Sequence, residues 1–242
     1  MEDCSIRNPQ SAIRNLRLGP ALIVRIVLLG PPGAGKGSLA VLCYQRLALQ
    51  HLSPGEIFRQ EIARNSELGR RVKRYVVAGR LVPNELVLEV MASRLTTQVL
   101  AKGFVLDGFP RTQGQATGLD RVLQERCAPL DGAVHLTSPT ALLIRRLGGR
   151  RVCPRCGTNY HLRTMRPKRA GYCDRCRILL VIRKDDQPET IKKRLAVDKK
   201  AARPLLNYYH RRGLLYRVDG TGRINPVFAR AMTLFRRHGW VE

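Results

Sequence analysis

Residues 25–40 read RIVLLGPPGAGKGSLA, and this stretch decides the fold. Its first part, Ile26–Leu29, is a short continuous apolar run of the kind that forms a buried strand in a parallel sheet. The apolar residues after the glycines recur at helical spacing, and they are Leu39, Leu42, Cys43 and Leu47. The glycines in between are therefore predicted to occupy a strand-to-helix turn.

A glycine-rich turn at this place suits a bound anion. Glycine tolerates positive φ and has no side chain, so backbone N–H groups can converge on a ligand. The N-terminus of the following helix and the charge of Lys36 add to the attraction. The spacing Gly30-x4-Gly35-Lys36 matches a phosphate-binding loop, except that Gly37 separates the lysine from the hydroxyl of Ser38. The loop predicts a polyphosphate site and leaves a kinase, an ATPase or a GTPase open.

The chain of 242 residues is long enough for one domain with an insertion. Its hydrophobic fraction of 44% argues against disorder. No apolar stretch approaches the roughly 20 residues of a transmembrane helix, so we expect a soluble protein without a membrane partner. Residues 1–22 lack the apolar region of a secretory signal. We expect them to form a flexible extension, with an organellar presequence as the open alternative, and the folded domain to cover 23–242.

The net charge of +26 is unusual, and most of the basic residues are arginines. Arginine favours bidentate contact with phosphates, so part of this excess can serve a nucleotide site. Basic runs such as Arg70–Arg74 are too numerous for one site, and the simplest interpretation is a solvated basic face. Association with nucleic acid is the sharper alternative, which the charge permits without establishing it.

Beyond the first strand and helix, short apolar runs alternate with helical patterns. Strands are predicted within 103–110, 132–139 and 214–222. One helix can begin at Pro83, and another is predicted near the end of the chain. The alternation predicts an α/β fold with a parallel β-sheet and helices on both faces, in which ligands bind at the carboxyl ends of the strands. Asp107, at the end of its strand, is then expected near the glycine loop.

Residues 149–186 interrupt this pattern with two C-x2-C pairs, Cys153 with Cys156 and Cys173 with Cys176. Sixteen residues separate the pairs, a spacing that fits a structural site in which four thiolates surround one zinc ion. Disulfides are disfavoured because no secretory signal is present. We therefore predict that these four cysteines are metal ligands.

Seven separated motifs carry a resemblance to a known family: GPPGAGKGS, HLSPGEIFR, GRLVP, GFVLDGFPRTQGQA, RRLGGRRVCPRCG, RKDDQPETIKKRL and VDGTG. Together they resemble the adenylate kinase family of nucleoside monophosphate (NMP) kinases, in its bacterial long-lid, zinc-binding form. The resemblance covers about residues 24–236. It implies a phosphate-loop kinase core with an NMP-binding helical segment at 53–82 and a small zinc lid at 149–186. It also implies reversible phosphoryl transfer from MgATP to AMP, giving two ADP.

The resemblance implies roles for individual residues. The catalytic residues that it implies are Lys36, Asp107, Arg111, Arg150, Arg183 and Arg194. The ATP-binding residues that it implies are Gly33, Ala34, Gly35, Lys36, Gly37, Ser38, Arg146, Arg150, Asn159, Tyr160 and Gly222. The AMP-binding residues that it implies are Pro54, Arg59, Arg80, Leu81, Val82, Gly108, Phe109, Pro110, Arg111, Gln115, Arg183 and Arg194. In this scheme Asp107 organises the Mg²⁺ that accompanies ATP, and the arginines stabilise charge on the transferring group.

Three positions depart from the family's pattern. Pro54 stands where many members have a threonine that contacts AMP, and Glu56 stands where an aspartate is common. Gly222 replaces a residue that is often basic, although its backbone carbonyl can still meet the ATP base. Gln115 is kept, and the donor and acceptor of its carboxamide can match the N6/N7 edge of adenine. AMP is therefore the expected acceptor.

Other polar residues carry weaker signals. Asp185 and Asp186 precede a helical run that begins near Pro188, and they are interpreted as a hinge or lid latch rather than as metal ligands. The five histidines have no ligand spacing and are expected to be structural.

These observations favour a monomeric, cytoplasmic kinase of this family. Its expected ligands are ATP and AMP, and its expected metals are structural Zn²⁺ in the lid and Mg²⁺ bound with ATP. Two alternatives stay open at this point. One is an NMP kinase with another base preference, and the other is a non-catalytic nucleic-acid-binding protein that has kept the kinase fold.

Overall fold

The structure, a computed structural model, describes residues 23–242, so the extension predicted for 1–22 lies outside the described residues. The elements of the first half are β1 (Arg25–Leu29), α1 (Lys36–Leu47), β2 (Gln50–Leu52), α2 (Pro54–Ala63), α3 (Glu67–Val77), α4 (Asn84–Arg94), α5 (Thr97–Lys102), β3 (Phe104–Asp107) and α6 (Gln113–Gln124). Those of the second half are β4 (Gly132–Thr137), α7 (Thr140–Gly148), β5 (Arg150–Val152), β6 (Asn159–His161), a 3-10 turn (Lys184–Asp186), α8 (Pro188–Arg211), β7 (Leu215–Asp219) and α9 (Ile224–Arg237).

A five-stranded sheet of order β2-β3-β1-β4-β7 forms the centre of the fold, and every neighbouring pair is parallel. The predicted parallel sheet is therefore confirmed. The strands predicted within 103–110, 132–139 and 214–222 are β3, β4 and β7, each shorter than its predicted range. They are shorter because the chain leaves the sheet at their carboxyl ends, where the loops of the candidate site begin.

Helices cover both faces of the sheet because the side chains of β1 alternate between two cores. Val27 and Leu29 pack with residues of α2, α4, α6 and α8. Ile26 and Leu28 pack with residues of α1, α7 and α9. All four side chains are at most 3% exposed, and burial of each such side chain contributes roughly 1.5–3 kcal/mol. The glycine loop thus follows a firmly anchored strand.

The edge strand β2 was not predicted from the sequence. Its three residues, Gln50–Leu52, are too few for a strand pattern to be read, and they pair with β3 only in the folded chain. The helix predicted to begin at Pro83 is confirmed as α4, with Pro83 in the extended conformation just before its first turn.

Residues 149–186, which we name the lid, contain the strands β5 and β6, which lie outside the five-stranded sheet. The strands β5 and β6 pair as an antiparallel hairpin. The buried apolar side chains of the lid form their own cluster, made of Cys153, Tyr160, Cys173 and Leu180. In the part of the chain that the structure describes, no helix has the length and apolar character needed to cross a bilayer.

Candidate active site

The loop between β1 and α1 is shaped by its glycines. Gly30, Gly33 and Gly35 have φ angles of 129°, 84° and 102°, a region that other residues rarely adopt. A Cβ on Gly30 would lie 2.4 Å from the carbonyl oxygen of Leu136 in β4, so the loop can approach the sheet this closely only without a side chain. The loop ends at the N-terminus of α1, where backbone N–H groups lack helical partners. This arrangement is the anion-binding turn that the sequence predicts.

Lys36, the first residue of α1, folds back over this loop. Its Nζ donates hydrogen bonds to the carbonyl oxygens of Gly30 and Pro31, the latter at 2.9 Å. Burial lowers the pKa of Lys36 from 10.5 to about 8, although the carboxylates of Asp198 and Asp107 oppose this shift. Between pH 8 and 10.5 the unfolded chain binds more protons at this lysine than the folded chain, so stability rises with pH in this window. A bound phosphate would give this ammonium group a close counter-charge.

Asp107, at the end of β3, lies against the start of α1. A Cβ on Gly37 would lie 3.0 Å from Asp107 Oδ2, so the missing side chain leaves room for this carboxylate. His51 Nε2 lies 3.6 Å from the same oxygen, which permits an ion pair but no direct hydrogen bond. Burial alone would raise the pKa of Asp107, but His51 and Lys36 lower it below its ordinary value. Asp107 is therefore ionised at neutral pH, as a ligand for a cation or its waters must be.

Two buried carboxylates hold two of the predicted catalytic arginines. Arg150 donates two hydrogen bonds to the Asp186 carboxylate, from Nε to Oδ2 at 2.6 Å and from Nη2 to Oδ1 at 2.5 Å. Arg194 Nη1 lies 2.7 Å from Asp186 Oδ1 and 3.0 Å from Asp185 Oδ2. The Asp186 side chain is completely buried. Because Arg150 and Asp186 stand at opposite ends of the lid, this ion pair joins its two ends, as a latch requires.

Arg183 and Arg59 add further buried positive charge. Arg183 donates a hydrogen bond from Nη2 to Asn159 Oδ1, but its buried Nε has no hydrogen-bond partner among the described residues. Burial lowers the pKa of Arg183, and the charges of Arg59 and Arg150 lower it further. A guanidinium with an unpaired buried donor and cationic neighbours favours a bound anion.

Two cavities meet at these charged groups. The larger cavity has a volume of about 450 Å³ and lies between the glycine loop, the lid and the residues after β7. The smaller has a volume of about 80 Å³ and lies between α2, the segment before α4 and the start of α6. Both cavities are lined by Gly55, Arg59, Gly108, Arg111 and Arg194. Two ligands with anionic groups could therefore meet at a shared cluster of three arginines.

The larger cavity brings together all of the predicted catalytic and ATP-binding residues. Its lining includes the catalytic set of Lys36, Asp107, Arg111, Arg150, Arg183 and Arg194. It also includes the remaining ATP set of Gly33, Ala34, Gly35, Gly37, Ser38, Arg146, Asn159, Tyr160 and Gly222. Arg146 Nη2 donates hydrogen bonds to the carbonyl oxygens of Gly220 at 2.9 Å and Gly222 at 2.7 Å. The Gly222 carbonyl, expected to meet the ATP base, is thus already in contact with Arg146.

The predicted AMP-binding residues are divided. Those that line the smaller cavity are Pro54, Arg59, Arg80, Leu81, Val82, Gly108, Arg111, Gln115 and Arg194. Arg183 lines the larger cavity instead. Phe109 and Pro110 line neither of these two cavities: the Phe109 ring is fully buried in the core, and Pro110 faces a third cavity. The sequence motif could not show this, because it contains no information on which side of the loop each side chain lies.

Gln115 is 2% exposed and lines the smaller cavity. Its Oε1 accepts a hydrogen bond from the backbone N–H of Arg111 at 2.8 Å. This bond fixes the orientation of the carboxamide. Its amide N–H₂ group forms no hydrogen bond with a described residue, so the donor is the part of the carboxamide that is free for a base.

Asp198 was not predicted from the sequence, and it lines the third cavity of about 400 Å³ behind the glycine loop, together with Lys36 and Arg111. Burial raises the pKa of this carboxyl, although Lys36, Arg111 and Arg194 lower it. The spacing in the sequence could have indicated this position. Asp198 follows Arg194 by four residues on one helix, so the two side chains share a helix face. His51 was missed because β2 was not recognised as a strand.

The four lid cysteines come together as predicted. Their Sγ atoms all lie within 4.8 Å of one another. The backbone N–H groups of Cys156 and Cys176 point to Cys153 Sγ and Cys173 Sγ at 3.5 and 3.4 Å. The Tyr160 hydroxyl donates to Cys173 Sγ at 3.6 Å. These donors stabilise thiolates, so the cluster can hold one metal ion with four sulfur ligands.

Comparisons with known proteins agree with this geometry. A family model described as Adenylate kinase matches residues 28–214. A curated adenylate kinase of Moorella thermoacetica is 47% identical over 204 residues, which cover 84% of this chain and 94% of the relative. Those of Clostridium tetani and Clostridium novyi are 44% and 43% identical over 205 residues, or 85% of this chain and 95% of each relative.

We expect ATP binding at about pH 8.5 to be accompanied by proton uptake. With a pKa of about 8, Lys36 is largely deprotonated in the free protein at this pH, and phosphate charge beside it raises its pKa, so binding restores the proton. Calorimetric titrations in two buffers of different ionisation enthalpy measure the uptake. It should be smaller at pH 7, where Lys36 is already protonated. Lys36→Ala should lose it while the exposed Lys102→Ala keeps it, and equal uptake in both variants would contradict the assignment.

Proposed function

The chain belongs to the adenylate kinase family, and from this premise we propose which of its residues perform the reaction and how. The enzyme transfers a phosphoryl group reversibly between ATP and AMP, giving two ADP. Neither another class of kinase nor a non-catalytic protein is favoured by any finding. One observation carries the residue assignment: two cavities, one of them formed by a phosphate-binding loop, meet at shared arginines.

ATP is placed in the larger cavity and AMP in the smaller. The larger cavity contains the loop and Lys36, which suit a triphosphate. The smaller cavity contains Gln115 for the base and Arg59 for the monophosphate. The two phosphate groups then meet beside Arg111 and Arg194. An oxygen of the AMP phosphate attacks the γ-phosphorus of ATP, the bond from this phosphorus to the β,γ-bridging oxygen breaks, and the bond electrons stay on ADP.

Alignment and charge stabilisation are the tasks of the protein in this step. Lys36 and the arginines offset the charge that spreads over the nonbridging oxygens. No general base is needed, because the attacking phosphate oxygen is already ionised. Asp107 is ionised and lines the cavity beside Ser38, so these residues fit Mg²⁺ bound with ATP. When bound, Mg²⁺ would neutralise part of the phosphate charge.

The lid (149–186) and the helical segment 53–82 are proposed as the parts that close over the nucleotides. Water must be excluded from the transferring group, which requires covers that move as units. Phosphates offer Arg150 and Arg194 an alternative to the carboxylates of Asp185 and Asp186. Exchange of these partners would couple nucleotide binding to the position of the lid.

Lys36→Ala should lower turnover by about two to three orders of magnitude, because one preorganised charge on the transferring group is lost. The thermal transition should stay within a few degrees, since burial of this ammonium group does not favour the charged form. A coupled ADP-formation assay measures turnover, with Lys102→Ala as the exposed control. Near-normal turnover of Lys36→Ala would remove the lysine from the site.

In our proposal, Pro54 lowers the affinity of the protein for AMP. It is the first residue of α2, is buried and lines the smaller cavity. Proline at this helix position is conformationally favourable but offers no hydroxyl to a ligand. One missing neutral hydrogen bond weakens binding by roughly 0.5–1.5 kcal/mol, whereas a base that cannot pair with the buried Gln115 loses more. AMP therefore stays the preferred acceptor, with a raised KM.

We expect Pro54→Thr to lower the KM for AMP several-fold with little change in kcat, because a hydroxyl that binds the ground state is added. Values of kcat/KM for AMP, CMP, UMP and GMP with ATP should rank AMP first in both proteins. Pro83→Thr, at the exposed start of α4 and outside both cavities, is the matched control. A preference for CMP or UMP would overturn the base assignment.

Zinc is the metal that we propose for the cysteine cluster. Four thiolates at this spacing suit tetrahedral Zn²⁺, and a site closed by four protein ligands leaves no position for substrate. The lid has only a small buried cluster of its own, so the metal replaces a core that is missing. A lid rich in reduced thiols fits a cytoplasmic enzyme. Because both cavities lie within one chain, we propose a monomer.

Cys153→Ala should lose about one zinc ion per chain and become sensitive to protease within 149–186, while the core stays folded. Metal analysis and limited proteolysis with mass spectrometry measure both effects. Cys43→Ala removes a buried thiol outside the cluster and should keep the metal. Absence of zinc from carefully prepared wild-type protein would defeat the assignment.

A further inference from the structure

The outward face of α8 is a row of positive charge that the kinase reaction does not use. Its exposed cations are Lys192, Lys193, Lys199, Lys200, Arg203 and Arg211. These residues recur at intervals of three, four, seven and eight, so they share one side of the helix. At 1.5 Å per residue the row is about 28 Å long. The inward face of the same helix carries Arg194, which lines both nucleotide cavities, and none of the six cations lines either of these two. Lys199 borders the third cavity together with Asp198.

This row carries six positive charges against one acid near it on the helix surface, Glu189. Among the described residues, none of the six cations forms an ion pair with a carboxylate. Helix α8 contains two acids. Glu189, exposed in the first turn, precedes Lys192 and Lys193 by three and four residues but forms no ion pair with either among the described residues. Asp198 lines the third cavity. By contrast, Arg212 just beyond the helix is paired with Asp120 at 3.3 Å. Six unpaired like charges along one helix repel one another, and a row of external anions would relieve this repulsion.

The shape and chemistry of the face indicate the kind of anion. The other exposed residues between these cations are Ala196, Pro204, Asn207 and His210, so the face has no large apolar side chain to insert into a lipid surface. Apart from the imidazole of His210, these exposed residues offer no aromatic ring on which a base could stack. What it offers is a line of cations about as long as eight successive phosphates of one duplex strand, which are spaced by about 3.4 Å along the axis.

We propose that the outward face of α8 binds the phosphate backbone of nucleic acid without sequence specificity. The interaction is electrostatic and leaves the nucleotide cavities open, so the enzyme can bind nucleic acid and transfer phosphoryl groups at the same time. Arginine and lysine contacts to the backbone release condensed counterions, which makes such binding strongly dependent on salt. This role uses a part of the high net charge that no substrate contact explains.

The test compares two variants with the same loss of three positive charges. The α8 variant combines Lys193→Gln, Lys200→Gln and Arg211→Gln, which lie along one line of the helix. The control combines Arg94→Gln, Lys102→Gln and Arg237→Gln, exposed positions on α4, α5 and α9. Fluorescence anisotropy with a 20-base-pair DNA duplex, a 20-base-pair RNA duplex and a 20-nucleotide RNA gives Kd between 50 and 200 mM KCl. Turnover and the thermal transition of both variants show that each is folded.

For duplex DNA, six phosphate contacts predict a slope of log K against log salt of about −5, and three contacts about half of that. The wild type and the control should share the steeper slope, while the α8 variant should bind at least about tenfold more weakly at 100 mM KCl with the shallower slope. The RNA probes show which nucleic acid is preferred. Equal weakening in both variants would mean that total charge is responsible and would overturn the proposal. Failure of the wild type to bind any of the three probes at 50 mM KCl would also overturn it, as would α8-dependent binding to phosphatidylserine vesicles alone.

Discussion

The rest of the structure depends on one constraint. Positive charge is concentrated and buried where the parallel strands end, and it must be balanced. Arg150, Arg183 and Arg194 lie in one cavity with Lys36, and the neighbouring carboxylates balance only part of their charge. Burial of charge is unfavourable unless it is paired, and removal of one partner from a buried pair typically costs about 3–5 kcal/mol. Asp186 is therefore essential to the nucleotide-free state, because it binds two of these arginines while completely buried. Phosphate can replace it as the counter-charge when substrate arrives.

The lid has only a small apolar core of its own. Its buried cluster consists of four residues, two of which are cysteines of the predicted metal site. A metal ion held by four sulfurs, as proposed above, would join two short knuckles that have no larger core. The Arg150–Asp186 pair then connects the ends of the lid to each other and, through Arg194, to α8. The position of the lid is thus linked electrostatically to the same arginines that face substrate.

The long helix α8 separates two uses of positive charge. Its inward face is buried against the core and the cavities, where Arg194 pairs with Asp185 and Asp186. Its outward face is solvated, and its cations have no carboxylate partner among the described residues. Inside, the low polarity makes each pairing strong and specific, whereas outside the charges act at longer range and are weakened by salt. In the proposals made above, the inward Arg194 takes part in phosphoryl transfer, while the outward cations attract polyanions.

The sequence alone determined the strand-to-helix turn around Gly30–Lys36, the parallel sheet and the four-cysteine cluster. These features depend on local spacing, since a turn residue, a periodic apolar run or a C-x2-C pair acts within a few positions of the chain. All the residues that the family motifs assign to ATP line the larger cavity. Only the tertiary structure decided which groups face one another across long separations in the chain. It placed His51 beside Asp107, Asp198 behind the glycine loop and Phe109 away from the smaller cavity. Such pairings depend on strand register and on the face of a helix that packs inward, and a one-residue shift in either would change every partner.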